Sequence, residues 1–298
     1  MTARAPAKVN LHLAVGPLRP DGFHELTTVF HAIGLYDELT LTRADGLSVH
    51  VEGEGAAEVP TDHTNLAARA VLALAERTGA RADVAIHITK DIPVAGGCAG
   101  GSADAAAALV ACDSLWDLGL SREELSEVAA ELGSDVPFSL HGGTALGTGR
   151  GECLTPVLGA GHYSWVLGLA NGGLSTPAVY RELDCQREHG PTAVVSDSAA
   201  VLTALRQGSP KALSKALSND LQSAATALKP ELRHLLDAGK ELGALGGLVS
   251  GSGPTVAFLA RDSQHASALA AALSGQGVCR TVRVADGPVP GARVTRTT

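Results

Sequence analysis

The sequence has 298 residues, of which 45% are apolar and only 3% aromatic, so Ala, Val and Leu must build a core large enough for two ordinary domains. A net charge of −8 without a Lys- or Arg-rich block argues against nucleic acid or an anionic membrane as a partner. No apolar run approaches the ~20 residues of a membrane span, and no leader pattern opens the chain. Five widely spaced cysteines without a C-x-x-C pair favour reduced thiols, so a cytoplasmic protein is expected.

The N-terminal half predicts strands alternating with helices. From Ala7 to Val15, apolar residues alternate with Lys8, Asn10 and His12, which is typical of a strand with one apolar and one polar face. Hydrophobic periodicity and helix-stop signals predict the elements that follow. Strands are predicted at 37–44, 47–53 and 83–93, and helices at 65–79, 102–119 and 121–133.

The C-terminal half predicts an antiparallel sheet with helices on one face, because paired strands are followed by a helix and another strand. Its strands are expected at 163–171, 246–251, 255–260 and 279–285, its last helix at 263–275, and a surface loop at 185–198. The change of pattern predicts two domains, 1–155 and 156–298.

The stretch "PVAGGCAGGSADAAAALV" (93–110) places four glycines within six positions, between a predicted strand and a predicted helix. Unshielded backbone amides and the positive end of a helix dipole favour an anion, so the stretch predicts a phosphate loop. The alternative is a tight turn that allows close helix–strand packing. The loop matches neither G-x-x-x-x-G-K-[ST] nor G-x-G-x-x-G. It has no lysine of its own and must take positive charge from another segment.

Three further features each allow a functional and a structural interpretation. Lys8 lies either on a solvated strand face or at a cleft. Asp135, in "GSDVP", is either a turn or N-cap residue or a functional carboxylate. Residues 250–253 of "GGLVSGSGPTVAF" form either a plain hairpin loop or a second clamp on a ligand.

Together, "PAKVNLHL", "PVAGGCAGGSADAA" and "LVSGSGPTVAF" resemble the three signature motifs of the GHMP kinase superfamily in order and spacing. This resemblance implies a mixed α+β fold with an N-terminal α/β domain, a C-terminal ferredoxin-like α+β domain and an active site in the cleft between them. "AKVNLHLAVGPLRPDGFHEL", "GSDVPF" and "LSTPAVY" further resemble the subfamily that phosphorylates a cytidylyl-methylerythritol in the non-mevalonate isoprenoid pathway.

The resemblance also implies residue roles. Lys8 and Asp135 match the catalytic lysine and the catalytic base. The residues expected to bind ATP are Pro93, Val94, Ala95, Gly96, Gly97, Cys98, Ala99, Gly100, Gly101, Ser102, Ala103 and Asp104, with Asn65 and Lys90 on the adenine side. The residues expected to bind the cytidine and erythritol parts of the substrate are Asn10, Phe23, His24, Thr176 and Tyr180.

The implied reaction is phosphoryl transfer from ATP, with Mg²⁺ as the cation that accompanies the phosphates. Ser102 and Asp104 are both candidate ligands of this ion, and the sequence leaves the choice between them open. A monomer or weak homodimer acting on a small molecule is expected. Two alternatives stay open at this point. One is a related GHMP kinase acting on homoserine, mevalonate or a sugar, and the other is a non-catalytic nucleotide sensor on the same fold.

The loop departs from the family pattern at several positions. Ala95, Cys98 and Ala99 replace glycine or leucine, Ala103 replaces a serine, and Asp104 stands where asparagine is frequent. The methyl groups of Ala95 and Ala99 can be accommodated if both residues have negative φ, so these substitutions leave the detailed path of the loop open.

Overall fold

The computed structural model describes residues 1–190 and 197–296, and most of its strands form one large sheet. Eight strands belong to this larger sheet: β1 (Thr2–Leu18), β2 (His24–Arg43), β3 (Ser48–Gly53), β4 (Val84–Lys90), β5 (Thr144–Thr148), β6 (Cys153–Pro156), β8 (Ser218–Asn219) and β12 (Arg293–Arg296). The main order is β12-β1-β2-β4-β3, with β5 and β6 continuing from β2 and β8 pairing with β1.

The smaller sheet contains four strands in the order β11-β7-β10-β9, all antiparallel. Its strands are β7 (Tyr163–Leu169), β9 (Gly246–Val249), β10 (Thr255–Leu259) and β11 (Thr281–Gly287). The strand order and the helices between the strands give the ferredoxin-like arrangement that the family resemblance implied. The mixed α+β fold class is confirmed.

Helices cover both sheets. Those before β7 are α1 (Leu66–Thr78), α2 (Gly100–Trp116), α3 (Arg122–Leu132) and α4 (Val136–His141). The later helices are α5 (Thr176–His189), α6 (Ala199–Gln207), α7 (Pro210–Ala216), α8 (Gln222–Leu228), α9 (Glu231–Glu241) and α10 (Ser263–Gln276). Within the described residues, no helix combines the length and apolar character needed to cross a bilayer.

Strand β1 is buried on both faces. Its apolar positions, among them Val9 and Leu11, are fully buried in the core that α1 and α2 share with the larger sheet. Its polar positions Lys8, Asn10 and His12 are also at most 5% exposed. Burying polar groups costs free energy unless they have hydrogen-bond partners. This second face of β1 is therefore a candidate location for a functional site.

The smaller sheet has a core of its own. Helices α5, α8, α9 and α10 pack on one face, around Val166, Val256 and Phe258. The opposite face, with Trp165 and Leu167, joins the core of the larger sheet. The chain leaves the larger sheet after β6 and enters the smaller one at β7, yet β8 and β12 return to the larger sheet. The division into 1–155 and 156–298 therefore stays a proposal.

Some elements differ from the sequence predictions. The strand predicted at 37–44 is the end of the much longer β2. The loop predicted at 185–198 is wrong at its start, because α5 continues to His189; residues 191–196 lie outside the described residues. Strands β5, β6 and β12 were not predicted, since each is short and depends on pairing with a distant segment.

Candidate active site

A cavity of about 1110 Å³ opens between β1, the glycine loop, α4 and α5. All the predicted site residues line it except Cys98 and Ala103, which are fully buried behind it. The lining therefore includes Lys8, Asn10, Phe23, His24, Asn65, Lys90, Pro93, Val94, Ala95, Gly96, Gly97, Ala99, Gly100, Gly101, Ser102, Asp104, Asp135, Thr176 and Tyr180. Segments far apart in the sequence thus converge on one volume.

A chain of hydrogen bonds fixes Lys8 at the floor of this cavity. Its Nζ donates to Asn10 Oδ1 at 2.7 Å, and Asn10 Nδ2 donates to Thr28 Oγ1 at 2.8 Å. Thr28 Oγ1 donates in turn to the carbonyl of His12 at 2.8 Å. The ammonium also lies 5.7 Å from the centroid of the Phe30 ring. Lys8 is therefore a held cation rather than a solvated edge residue.

Asp135 meets Lys8 although the two residues come from different elements. Asp135 Oδ2 lies 3.6 Å from Lys8 Nζ, and the Asp135 side chain is 32% exposed. Asp135 occupies the N-cap position of α4, but its side chain makes no capping hydrogen bond. The carboxylate is thus available to the cavity, and the capping interpretation of this residue does not account for it.

The backbone of the glycine loop is left-handed at two alanines. Ala95 has φ 51° and Ala99 has φ 61°, so neither residue meets the condition of negative φ under which its methyl group would be accommodated without strain. Both occupy the left-handed region, which glycine adopts without the steric cost that a Cβ adds. Ala99 is also the N-cap of α2, and no side chain caps that helix. The first amides of α2 are therefore directed at the cavity without a side-chain partner, as an anion site requires.

The loop at residues 250–253 packs directly on the glycine loop. Ser250 Oγ donates to the carbonyl of Gly97 at 3.0 Å, and a Cβ at Gly97 would overlap the carbonyl oxygen of Ser250. On the other side, a Cβ at Gly251 would lie 3.2 Å from Lys8 Nζ. The loop at 250–253 therefore touches both the glycine loop and Lys8, and its role as a clamp on a ligand stays a prediction.

Lys90 has partners other than the predicted adenine. Its Nζ donates to Asp37 Oδ2 at 2.5 Å and to Asp104 Oδ2 at 2.6 Å, with all three side chains at most 3% exposed. Burial opposes the charge on Lys90, but the two carboxylates outweigh it and raise its pKa. Burial raises the pKa of Asp104 to about 8, against the lowering effect of Lys90. This buried triad lies directly beneath the glycine loop, and the role of Lys90 beside adenine stays a prediction.

Asn65 is engaged in a similar way. Its Oδ1 accepts from the amide of Ala67 at 2.8 Å, which caps α1, and its Nδ2 donates to the carbonyl of Pro60 at 2.8 Å. Asn65 therefore lines the cavity with a side-chain amide whose oxygen and nitrogen already have partners in the protein. Its role beside adenine stays a prediction.

The far side of the cavity carries aromatic and polar groups. The rings of His24 and Tyr180 lie 5.1 Å apart at 30°, and His24 Nε2 is 2.9 Å from Asp184 Oδ1. Phe23 is 51% exposed, with the Arg150 guanidinium 5.1 Å from its ring centroid. Burial raises the pKa of Tyr180, so its hydroxyl stays protonated and can donate a hydrogen bond. A planar, hydrogen-bonding ligand fits this end.

Thr176 and Ser252 join α5 to the loop after β9. Their hydroxyl oxygens are 2.8 Å apart, and both residues line the cavity. The predicted substrate-side residue Thr176 thus contacts the clamp.

Several groups at the site were missed by the sequence analysis. Asp184 follows Thr176 and Tyr180 at helical spacing of four residues, a signal that could have found it. Asp37, which anchors Lys90, lies in a strand and carried no local signal. Arg150 follows β5 in a turn, and only the fold shows that it reaches Phe23.

Cys98 is a structural residue of the loop. It is fully buried, burial raises the pKa of its thiol, and its carbonyl accepts a hydrogen bond from the Lys8 amide at 3.2 Å. A protonated, enclosed thiol is a poor nucleophile. All five cysteines are free thiols.

Comparison with known proteins shows the family of this chain. The model of the GHMP kinases N terminal domain matches residues 65–143, and that of the GHMP kinases C terminal matches residues 201–279. A 4-diphosphocytidyl-2-C-methyl-D-erythritol kinase of Nocardia farcinica is 62% identical over 291 residues, which cover 98% of this chain and 95% of the relative. The chain belongs to the GHMP kinase family.

A second relative and two solved structures are also similar to this chain. A kinase of the same name from Streptomyces avermitilis is 59% identical, with 99% of each chain covered. A crystal structure of 4-(cytidine 5'-diphospho)-2C-methyl-D-erythritol kinase shares 34% identity and a TM-score of 0.78, over 96% of this chain and 98% of the other. The structure of L. major mevalonate kinase in complex with R-mevalonate has a TM-score of 0.77 at 17% identity, over 96% of this chain and 95% of the other, and shows the shared fold alone.

Proposed function

We propose that this GHMP kinase transfers the γ-phosphate of ATP to the 2-hydroxyl of 4-diphosphocytidyl-2-C-methyl-D-erythritol, in the non-mevalonate isoprenoid pathway. The observation that carries the proposal is the meeting of Lys8 and Asp135, 3.6 Å apart, in the cavity shared by the glycine loop and the aromatic end. The names of relatives at 58–62% identity over nearly the full chain support the substrate.

The end of the cavity that binds ATP consists mainly of backbone amide groups. The β- and γ-phosphates accept hydrogen bonds from the uncapped amides at the start of α2 and from residues 95–101. The loop contributes no cation, so Lys8 supplies the positive charge beside it. Such reactions depend on positioning and charge stabilisation more than on covalent steps by the protein.

Mg²⁺ fits the polar groups beside the loop. Asp104 lines the cavity, and its Oδ1 is buried without a hydrogen-bond partner, while Ser102 lines the same wall. A hydroxyl and a carboxylate oxygen are ligands that this hard cation accepts together with phosphate and water. Ser102 and Asp104 would hold the ion, whose charge would favour the ionised form of Asp104 and would offset the charge of the phosphates.

Asp135 acts as the general base. Its carboxylate accepts the proton of the 2-hydroxyl as that oxygen attacks the γ-phosphorus. Lys8 holds the carboxylate in place through the 3.6 Å contact and stabilises the charge that builds on the transferring group. The hydrogen bond from Lys8 to Asn10 fixes the ammonium before the substrate arrives.

The cytidine is bound at the opposite end. The exposed ring of Phe23 and the Tyr180–His24 pair offer planar faces on which cytosine gains stacking energy. Asn10 and Thr176 contribute polar groups along the erythritol. Arg150 and Arg181 line this end and suit the diphosphate that joins the two parts of the substrate.

The proposal is tested by ADP release over a panel of alcohols. The cytidylylated methylerythritol should be phosphorylated efficiently. Free methylerythritol phosphate should be a very poor acceptor, because the binding energy of the remote cytidine is lost. Equal turnover of the two compounds would contradict the substrate assignment, and preferred turnover of homoserine or mevalonate would favour a related GHMP kinase. ATP binding without acceptor-dependent ADP release would indicate a sensor.

The remaining expectations belong to the same proposal. Residues 1–155 and 156–298 act as the two halves that enclose the cleft, and the chain works as a monomer or weak homodimer in the cytoplasm. Sedimentation velocity at micromolar concentration tests the oligomeric state.

A further inference from the structure

A second cluster of ligand-type side chains lies away from the active cavity. His50, Glu52 and His87 each offer one nitrogen or oxygen atom, and these three atoms lie within 4.8 Å of one another. The His50 and His87 rings are 4.9 Å apart, and His87 Nε2 is 3.1 Å from Glu52 Oε1. No other group of three such residues is found among residues 1–190 and 197–296.

The sheet itself creates this cluster. Strand β3 is the edge of the larger sheet and runs parallel to β4, with His50 directly paired to His87. Paired residues of neighbouring strands project to the same face, and Glu52 follows His50 by two positions and so shares that face. The buried residues Ile86 and Ile88 alternate with His87 and face the opposite way, into the core. The backbone therefore holds the three side chains together on a solvent-facing surface.

Hydrogen bonds already orient the carboxylate. Thr89 Oγ1 donates to Glu52 Oε1 at 3.1 Å, beside the contact from His87. Partners that fix a ligating carboxylate are typical of metal sites.

We propose that His50, Glu52 and His87 bind one Zn²⁺ ion on the outer face of the larger sheet. Two imidazoles and one carboxylate are a ligand set that Zn²⁺ takes, with water in the fourth position. Tetrahedral ligands at the usual Zn–N and Zn–O lengths are about 3.4 Å apart, so small side-chain rotations bring the three atoms into range. Mg²⁺ prefers oxygen ligands and does not compete.

Zn²⁺ would tie the edge strand to its neighbour. The ion would bridge β3 and β4 in addition to their backbone hydrogen bonds. A ligand that binds the folded protein alone raises the melting temperature. None of the three residues lines the active cavity, so the effect concerns stability and not the phosphoryl transfer.

The test is a Zn²⁺ titration of the full chain without an affinity tag, in the presence of millimolar Mg²⁺. All proteins carry Cys153→Ser and Cys185→Ser, because both thiols are exposed and Cys185 Sγ lies 3.8 Å from His189 Nδ1. The parent should bind one Zn²⁺, with chemical-shift changes at the imidazole nitrogens of His50 and His87. Its melting temperature should rise with Zn²⁺.

Variants decide the assignment. His87→Ala and His50→Ala should each weaken Zn²⁺ binding at least about a hundredfold, more than the ~10–100-fold cost of losing an outer partner of a metal ligand. The matched control His234→Ala removes an exposed histidine on α9 and should bind like the parent. Unchanged affinity in His87→Ala, absence of binding in the parent, or shifts only at other histidines would each overturn the proposal. Unaltered kinase activity in His87→Ala will show that the variant is folded.

Discussion

Lys8 is held in place by contacts from three separate segments. Its amide donates to the carbonyl of Cys98 in the glycine loop, and its ammonium donates to Asn10. Asp135, at the start of α4, contacts the ammonium. Gly251 has no Cβ, which leaves room for the ammonium beside it. A lysine restrained on so many sides loses little conformational entropy when the substrate binds, which favours catalysis by a preorganised charge.

Substitution of the two central residues should reveal that they act as a unit. Asp135→Ala and Lys8→Ala should each lower kcat at least about a hundredfold, because loss of a general base typically costs ~10²–10⁴ in rate. The double variant should be scarcely slower than either single one. Steady-state ADP release with saturating ATP measures all three rates.

The control for this cycle is the stability of each variant. Asp135→Ala should keep its melting temperature and its ATP affinity, because the carboxylate makes no capping hydrogen bond. Rate losses that multiply in the double variant, or near-full turnover in Asp135→Asn, would show that the two residues do not form one proton-accepting pair.

Gly97 offers a test of the contact between the two loops. It has φ 74° and no room for a Cβ against Ser250, whereas Gly79 has the same φ with no atom within 4 Å of a built Cβ. Gly97→Ala should raise the KM for ATP at least about tenfold, equivalent to ~1.4 kcal/mol of lost interaction. Gly79→Ala carries the same backbone cost without the clash and should leave that KM unchanged. Equal ATP kinetics in both variants would contradict the clamp.

At the scale of elements, the buried triad joins three of them. Lys90 ends β4, Asp37 belongs to β2 and Asp104 to the first turns of α2. Asp37 Oδ1 also accepts from the amides of Asp91 and Ile92, which lead into the loop. The position of the glycine loop thus depends on an ion-pair cluster below it.

Removal of the central cation should destabilise the fold. Lys90→Met leaves the buried side chains of Asp37 and Asp104 without their cation. Removing one partner of a buried ion pair typically costs about 3–5 kcal/mol of unfolding free energy. Urea unfolding measures this loss. The exposed Lys240→Met is the matched control and should change the unfolding free energy by less than ~0.5 kcal/mol. A similar loss in both variants would contradict the importance of the triad.

The sequence was informative where local rules decide the structure. The alternation in β1, the capping box of α3 and the glycine loop before α2 can each be recognised within a few residues. The positive φ of Ala95 and Ala99 and the partners of Lys90 depend on packing between distant segments, and no local pattern encodes them. The site was therefore predictable as a set of residues, but its supporting contacts were not.

At the scale of the whole molecule, the two sheets meet around a neutral histidine. His31, on β2, is fully buried; its Nδ1 is 2.8 Å from Thr144 Oγ1, and its ring contacts Tyr163 and Trp165 of β7. Burial lowers the pKa of His31 to about 3. The imidazole of His31 is therefore uncharged in the folded protein at any pH well above 3.

This histidine should make the protein sensitive to acid. Below pH 6.5 the imidazole of His31 binds a proton in the unfolded chain but not in the folded one. The stability that the neutral His31 contributes is therefore complete above pH 6.5 and is lost as the pH falls towards 3. On going from pH 6.5 to pH 5, the effect of His31 should lower the unfolding free energy by about 1.6 kcal/mol. Urea unfolding of the parent and of His31→Gln at both pH values measures it. Identical pH dependence in the two proteins would contradict the assignment.

Strand β12 pairs with the beginning of β1, where Thr2 lies opposite Arg296 and Ala3 opposite Val294. During translation, β1 leaves the ribosome long before its partner has been made. The outer edge of β1 therefore stays open on the nascent chain, and an open strand edge is a template for pairing with other chains. We expect the nascent protein to need protection by chaperones until residues 293–296 have emerged. The strand that carries Lys8 is thus synthesised well before β12, and its pairing is completed only when β12 has been made.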